Sequence, residues 1–216
     1  VGCAGGIDVG ATRGYKQEKT PEGVTAYKLS LKGLRGGHSG LDIHLGKANA
    51  NKLMFRFFQQ AEHDFGMRIA EFTGGDLRNA IPRESFATIV VPTIKKAQFE
   101  KFMKGYEKMY RAEFMEVDPG IKFLFKVAEA PAKVMNEADQ YRIIRGVFVC
   151  PSGVQRMSAI MPGVVETSNN LSIVRIGNGK FEAYCLCRSS VETAKEATAW
   201  KIAAGFQLAG CDVELS

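Results

Sequence analysis

Twice along this chain an amphipathic helix is followed by two strands, a second helix and a further strand, and that rhythm leaves few folds open. The first round starts with a helical pattern over residues 47–65, where Met54, Phe57, Phe58, Ala61 and Phe65 share one stripe and Gly66 supplies a stop. Strands are expected at Met67–Phe72 and Ser85–Val91, joined by the polar segment 73–84. A helix follows from about Lys95 to Met115, ended by Asp118-Pro119-Gly120, and then a strand over Ile121–Val127. The second round has a helix at 136–149, a loop from Pro151 to Pro162, and strands at Val164–Ile176 and Lys180–Arg188 around Gly177-Asn178-Gly179, a strong hairpin signal. It closes with a helix over about 191–209, where Ser189 and Glu192 have capping-box spacing, and a short strand at Val213–Leu215.

Ahead of both rounds, Ile7–Lys16 and Val24–Leu34 flank Thr20-Pro21-Glu22-Gly23 and read as a hairpin. In the second of these runs Thr25, Tyr27, Leu29 and Leu31 alternate with Val24, Ala26, Lys28, Ser30 and Lys32, so one face is the more apolar. Strands that alternate in this way need cover on one face only. The economical fold is α+β: an antiparallel sheet with helices on a single face, arranged as two ferredoxin-like units in tandem. We expect one domain over 1–216 with sub-units at about 1–129 and 130–216. Its free sheet edges favour association, so a homodimer is expected.

Composition removes several classes of function. A hydrophobic share of 45% and a charged share of 24% suit a globular core, and the longest apolar runs fall far short of a membrane span. The opening Val1-Gly2-Cys3-Ala4-Gly5-Gly6 is neither a signal segment nor a natural start, which suggests a piece cut from a longer protein. The cysteines, Cys3, Cys150, Cys185, Cys187 and Cys211, lack a second pair to build a tetrahedral site and read as reduced, buried thiols of a cytoplasmic protein. The net charge of +6 keeps nucleic acid open as a partner. The basic residues are scattered, however: Lys101, Lys104 and Lys108 alternate with Glu100 and Glu107 as on a solvated helix face.

Of three histidines, His63 lies on the polar side of the first helix. His38, Asp42 and His44 are spaced as no helical ligand pair and lack a fourth ligand, so no metal site is assigned. Glycines flank His38 in Gly36-Gly37-His38-Ser39-Gly40, where the backbone can come close to another molecule and the imidazole can donate to a carboxylate or an oxyanion; a plain turn with a solvated histidine fits as well. Asn79, before Ile81-Pro82, is a turn residue or a ligand contact. Thr167-Ser168-Asn169-Asn170 interrupts a long strand with polar residues, as a bulge or a ligand contact would. Arg188 ends an apolar strand at a corner, where a guanidinium fork can hold a carboxylate or form a structural ion pair. No nucleophile, phosphate loop or carboxylate–histidine cluster is present, so on its residues alone the chain is an α+β binding or association domain.

The run Leu29-Ser30-Leu31-Lys32-Gly33-Leu34-Arg35-Gly36-Gly37-His38-Ser39-Gly40 resembles the start of the lid domain in aminoacyl-histidine (Xaa-His) dipeptidases, two-zinc metallopeptidases. Gly2-Cys3-Ala4-Gly5-Gly6 looks like the junction with their catalytic domain, and Gly163-Val164-Val165-Glu166-Thr167-Ser168-Asn169-Asn170 with its hairpin looks like a later lid segment. The resemblance implies a lid and dimerisation domain whose parent is a metallo-dipeptidase, with the fragment inactive by itself. It implies two zinc ions held in flanking sequence, none in this fragment. His38 would then contact the scissile carbonyl oxygen, in many members across the dimer interface. Asn79 and Arg188 would bind substrate, Arg188 by its C-terminal carboxylate, and Asn170 is a further substrate-binding candidate, with Asn169 beside it, because Asn-Asn-Leu-Ser stands where Asn-Val-Gly is the pattern. The implied partners are the catalytic domain, a second subunit and a dipeptide, with no nucleic acid and no membrane. Rival readings are a basic α+β module binding nucleic acid on its open face, and a pure homodimerisation module.

Overall fold

The computed structural model describes residues 5–216. Cys3 and the start of the glycine-rich junction lie outside them. Along the chain run β1 (Gly5–Gly14), β2 (Gln17–Lys19), β3 (Val24–Lys32), β4 (Gly37–His38), α1 (Ala50–Phe65), β5 (Arg68–Gly74), β6 (Ala80–Ile81), β7 (Ser85–Pro92), α2 (Lys96–Glu113) and β8 (Lys122–Ala128). Then follow β9 (Lys133–Met135), α3 (Glu137–Val149), β10 (Gly153–Met157), β11 (Val165–Gly177), β12 (Lys180–Ser189), α4 (Glu192–Leu208) and β13 (Asp212–Leu215).

The main sheet has the order β13-β1-β12-β11-β5-β7-β3-β8, with β10 paired to β11. Every pairing in it is antiparallel. The helices cover one face, and the apolar members of each strand's alternation, such as Tyr27, Leu29 and Leu31, meet them in the core. The expected α+β class is what forms.

Helix α1 is the centre of that core. Asn49 caps it, its side-chain oxygen accepting from Asn51 N and Lys52 N, and Gly66 ends it in the left-handed conformation (φ 67°). Phe55, Phe57 and Phe58 are all fully buried, because α2, α3 and the sheet surround the helix rather than flanking one stripe. Phe57 stacks against Phe123 and Tyr106 at ring separations of 4.9 and 5.2 Å. Truncating such a ring to alanine costs about 3–5 kcal/mol, so loss of Phe57 would weaken the fold substantially.

Three local expectations are corrected. The segments before residue 34 do not form a hairpin: β1 pairs with β12 and β13, and β3 pairs with β7 and β8. The turn at Thr20–Gly23 reverses the chain without choosing its partner. Val9 and Ala11 instead extend the apolar layer beneath α4, while β2 pairs with β9. Part of the 151–162 loop is a strand, β10, too polar and exposed to announce itself. The capping box at α4 is not made either: Val191 is the N-cap residue, Ser189 Oγ accepts from Val191 N, and Glu192 pairs with Lys195.

The Asn178-Gly179 hairpin between β11 and β12 forms as read, with φ of 51° and 77° at the two turn residues. Because β1 lies between β12 and β13, the first described strand completes the half of the sheet built from the last residues of the chain. That places Gly6 opposite Arg188 and Asp8 opposite Leu186 on the uncovered face.

Candidate functional site

The loop carrying His38 leaves β3 at Gly33 and returns at Ala48. Both ends are held by one buried carboxylate: Asp118 accepts from Arg35 N at 2.6 Å and from Ala48 N at 2.7 Å. Inside the loop, Asp42 Oδ2 accepts from His38 N at 2.8 Å and His38 O accepts from Asp42 N at 2.8 Å. Asp42 is thus engaged with the His38 backbone. His44 is exposed on the short helical turn that follows, and His63 is exposed on α1 and pairs with its neighbour Asp64.

The His38 ring has a defined orientation. Its Nδ1 accepts from Gly40 N at 3.1 Å and from Leu41 N at 3.2 Å. A nitrogen that accepts two N–H groups carries no proton, so these partners assign the neutral ring its proton at Nε2. The half-buried imidazole therefore offers a single N–H donor from its far edge.

Strand β4 pairs with β6, Gly37 opposite Ile81 and His38 opposite Ala80, and Ser39 N donates to Asn79 O at 2.8 Å. This brings Asn79 beside the His38 loop, with the Asn79 side chain exposed. The segment from β5 to β6 reaches this place because Gly75 adopts φ 74° against β11, where a Cβ would run into the Ser172 carbonyl oxygen.

Arg188 completes the corner from β12. A Cβ placed at Gly40 would lie 3.2 Å from His38 Cε1 and 3.5 Å from Arg188 Cδ, so the glycine separates the two side chains by little more than its own width. Arg188 and Asn79 together line a cleft of about 520 Å³ on the uncovered sheet face, with Gly6, Asp8, Arg78 and Leu186. Arg78 pairs with Asp8 across it. Arg188 Nε and Asp8 Oδ1 are buried and without a hydrogen-bond partner among the described residues, as is Ser39 Oγ beside His38. Buried polar atoms are seldom left so, and these three have hydrogen-bonding capacity still to be met.

Asn170 stands behind this corner. It is 1% exposed; its Nδ2 donates to Ala80 O at 2.7 Å, and its Oδ1 accepts from Asn49 Nδ2 at 3.4 Å. Asn169 is also buried, donating to Pro151 O and accepting from Cys187 Sγ. The structure thus brings His38, Asn79 and Arg188 to one accessible corner, with Asn169 and Asn170 inside the fold. The sequence reading missed Asp118 and Asn49. Asp118 appeared there only as a helix terminator, and the turn dipeptide Asp118-Pro119 carries no sign that its carboxylate reaches two distant amides.

Among the described residues no three His, Cys, Asp or Glu side chains converge as a metal site. These residues do not fit a zinc centre, and what they can contribute to a reaction is hydrogen bonding and charge. Among the described residues, too, no helix is long and apolar enough to cross a membrane.

Comparison with known proteins places this open-faced α+β domain among peptidase-related chains. Residues 29–118 match the family described as the peptidase dimerisation domain. The chain is 36% identical over 214 residues to the cytosol non-specific dipeptidase of Escherichia coli (strain K12), covering 99% of this chain and 44% of that protein. The crystal structure of aminoacylhistidine dipeptidase from Vibrio alginolyticus superposes with a TM-score of 0.96 at 37% identity, again over 99% of this chain and 44% of the other. The chain thus spans less than half the length of the relatives it matches.

Proposed function

We propose that this domain is the lid of a zinc dipeptidase acting on Xaa-His dipeptides, and that it supplies oxyanion- and substrate-contacting groups to an active site whose two zinc ions are held elsewhere in the enzyme. The observation that carries the reading is the fixed His38 ring: two backbone N–H groups on Nδ1 leave Nε2–H as a donor with a set direction. Such a donor suits the carbonyl oxygen of a scissile peptide bond as it gains negative charge. A preorganised donor of this kind is worth about 3 kcal/mol to the transition state.

Arg188 then takes the C-terminal carboxylate of the dipeptide through its guanidinium fork, and Asn79 hydrogen-bonds the substrate from the opposite side of the cleft. The likeness to dipeptidases, one of them an aminoacylhistidine dipeptidase, supports this substrate class. The match to the peptidase dimerisation domain supports a homodimer and a catalytic domain in the same chain as partners. A cytoplasmic setting agrees with the cytosolic relative and with the reduced, buried thiols.

The test is steady-state hydrolysis of an Xaa-His dipeptide by the full-length enzyme, wild type against His38→Ala, with zinc content measured in both. We expect kcat to fall by about two to three orders of magnitude at unchanged zinc stoichiometry. An unchanged kcat would remove His38 from the reaction. The isolated domain with added zinc is expected to show no turnover, and turnover by it would overturn the lid assignment.

A further inference from the structure

Three of the four carbonyls from Asn79 to Pro82, behind the candidate site, are each taken by a different part of the molecule. Asn79 O accepts from Ser39 N at 2.8 Å, within the His38 loop. Ala80 O accepts from Asn170 Nδ2 at 2.7 Å, from the middle of β11. Past Ile81, Pro82 O accepts from Ala50 N at 3.1 Å, in the first turn of α1. Only the Asn170 contact is made by a side chain. That side chain is itself gripped: Asn49 Nδ2 reaches both Asn170 Oδ1 (3.4 Å) and Leu171 O (2.9 Å), while Asn49 Oδ1 caps α1.

A buried amide with both its ends engaged has little left to offer a ligand, and at 1% exposure Asn170 has no surface from which to offer it. Yet the carbonyl it holds belongs to Ala80, which pairs directly with His38 and follows Asn79 in the chain. We propose that Asn170 is a positioning residue: it fixes Ala80 from behind and so sets where His38 and Asn79 stand relative to Arg188. Asn49 serves the same end by orienting the Asn170 amide, which ties the placement of the site to the N-terminus of the central helix. The proposal rests on the reading of His38 and Asn79 as substrate contacts.

Removing a buried partner leaves Ala80 O unsatisfied, and the strap from Asn79 to Pro82 loses its middle attachment. Asn170→Leu keeps the volume and deletes both hydrogen bonds; Asn170→Ala is the milder companion, for use should the leucine variant not accumulate as folded protein. Each is made in the full-length enzyme and read by amide hydrogen exchange of segments 36–41 and 77–83, with β3 and β7 as internal standards, beside the kinetics of dipeptide hydrolysis. The expected result is exchange about tenfold faster in both segments, unchanged exchange in β3 and β7, and a kcat lowered by about tenfold or more.

Unchanged exchange in the two segments would overturn the proposal, whether or not activity falls. Lost activity with intact exchange would make Asn170 a substrate contact. Faster exchange throughout the sheet would also overturn it, leaving Asn170 as part of the general core. Failure of the wild-type enzyme to cleave any dipeptide would count against the functional reading alone, since the exchange measurement still decides whether Asn170 places His38.

Discussion

Gly40 lies between His38 and Arg188: a Cβ there would approach the imidazole Cε1 at 3.2 Å and the arginine Cδ at 3.5 Å. Residues 148 positions or more apart in the chain meet at this point because the Gly36–Gly40 turn folds down over the end of β12.

Gly40→Ala is therefore expected to act on chemistry before stability. The new methyl would press on His38 Cε1 and Nδ1 at 3.2 and 3.3 Å, so the ring must shift by a few tenths of an ångström. We expect kcat to drop by about tenfold with the melting temperature nearly unchanged, because a small misplacement of a catalytic donor is costly where a surface-loop methyl is not. Kinetics and thermal denaturation of the same preparation check both halves.

Arg188 should discriminate by geometry as well as charge. A lysine retains the charge but not the fork, so Arg188→Lys and Arg188→Ala are both expected to raise KM for a dipeptide with a free C-terminus, by about tenfold or more. For the same dipeptide amidated at its C-terminus the variants and the wild type should differ little. An equal penalty on both substrates would place Arg188 in the scaffold.

Acid stability has an assignable contributor in Asp139. Burial alone would raise its pKa, but hydrogen bonds from Lys16 N, the Asn136 amide and the Arg13 guanidinium outweigh it and hold the carboxyl below its ordinary value. A depressed folded-state pKa contributes stability that is complete above the unfolded value, near pH 4, and lost as pH falls through the folded one. Wild type should therefore exceed Asp139→Asn in melting temperature by a constant margin at pH 6–7. The margin should shrink below about pH 4. A margin independent of pH would show that the carboxylate's charge is not what matters.

The internal thiols should be inert in the native state. Burial pushes Cys187 up to about 12 and Cys211 up to about 11. Cys185 is raised too, by its hydrogen bond with Cys150 at 3.5 Å and by burial. Site-resolved alkylation at pH 7.5 should modify these three cysteines only as fast as the domain opens, and denaturant should abolish the protection. Rapid native labelling at Cys187 would contradict the burial seen here.

What the sequence disclosed follows the range of the interactions involved. Asn178-Gly179 and Gly66 act on their own neighbours, and each stands where the local pattern put it. The partner of β1 was not legible, since Val9 and Ala11 are equally good beneath any helix and only the assembled sheet selects α4. Asp118 was hidden for the same reason: its amide partners lie 83 and 70 residues away. Asn170 was visible as a polar interruption, but sequence alone could not show whether its amide turned outward to a ligand or inward to Ala80.

The bracing around His38 leaves the imidazole almost no private freedom. Asp118 shuts its loop at the base, Asp42 grips its backbone, and β6 couples it to the strands behind. A loop backbone held at so many points, with the ring itself held at Nδ1 by Gly40 N and Leu41 N, gives the imidazole little room to swing alone. If the domain closes over an active site as proposed above, this histidine would travel with the sheet behind it, and the rate of its delivery would be set by the motion of the domain and not by the loop that carries it.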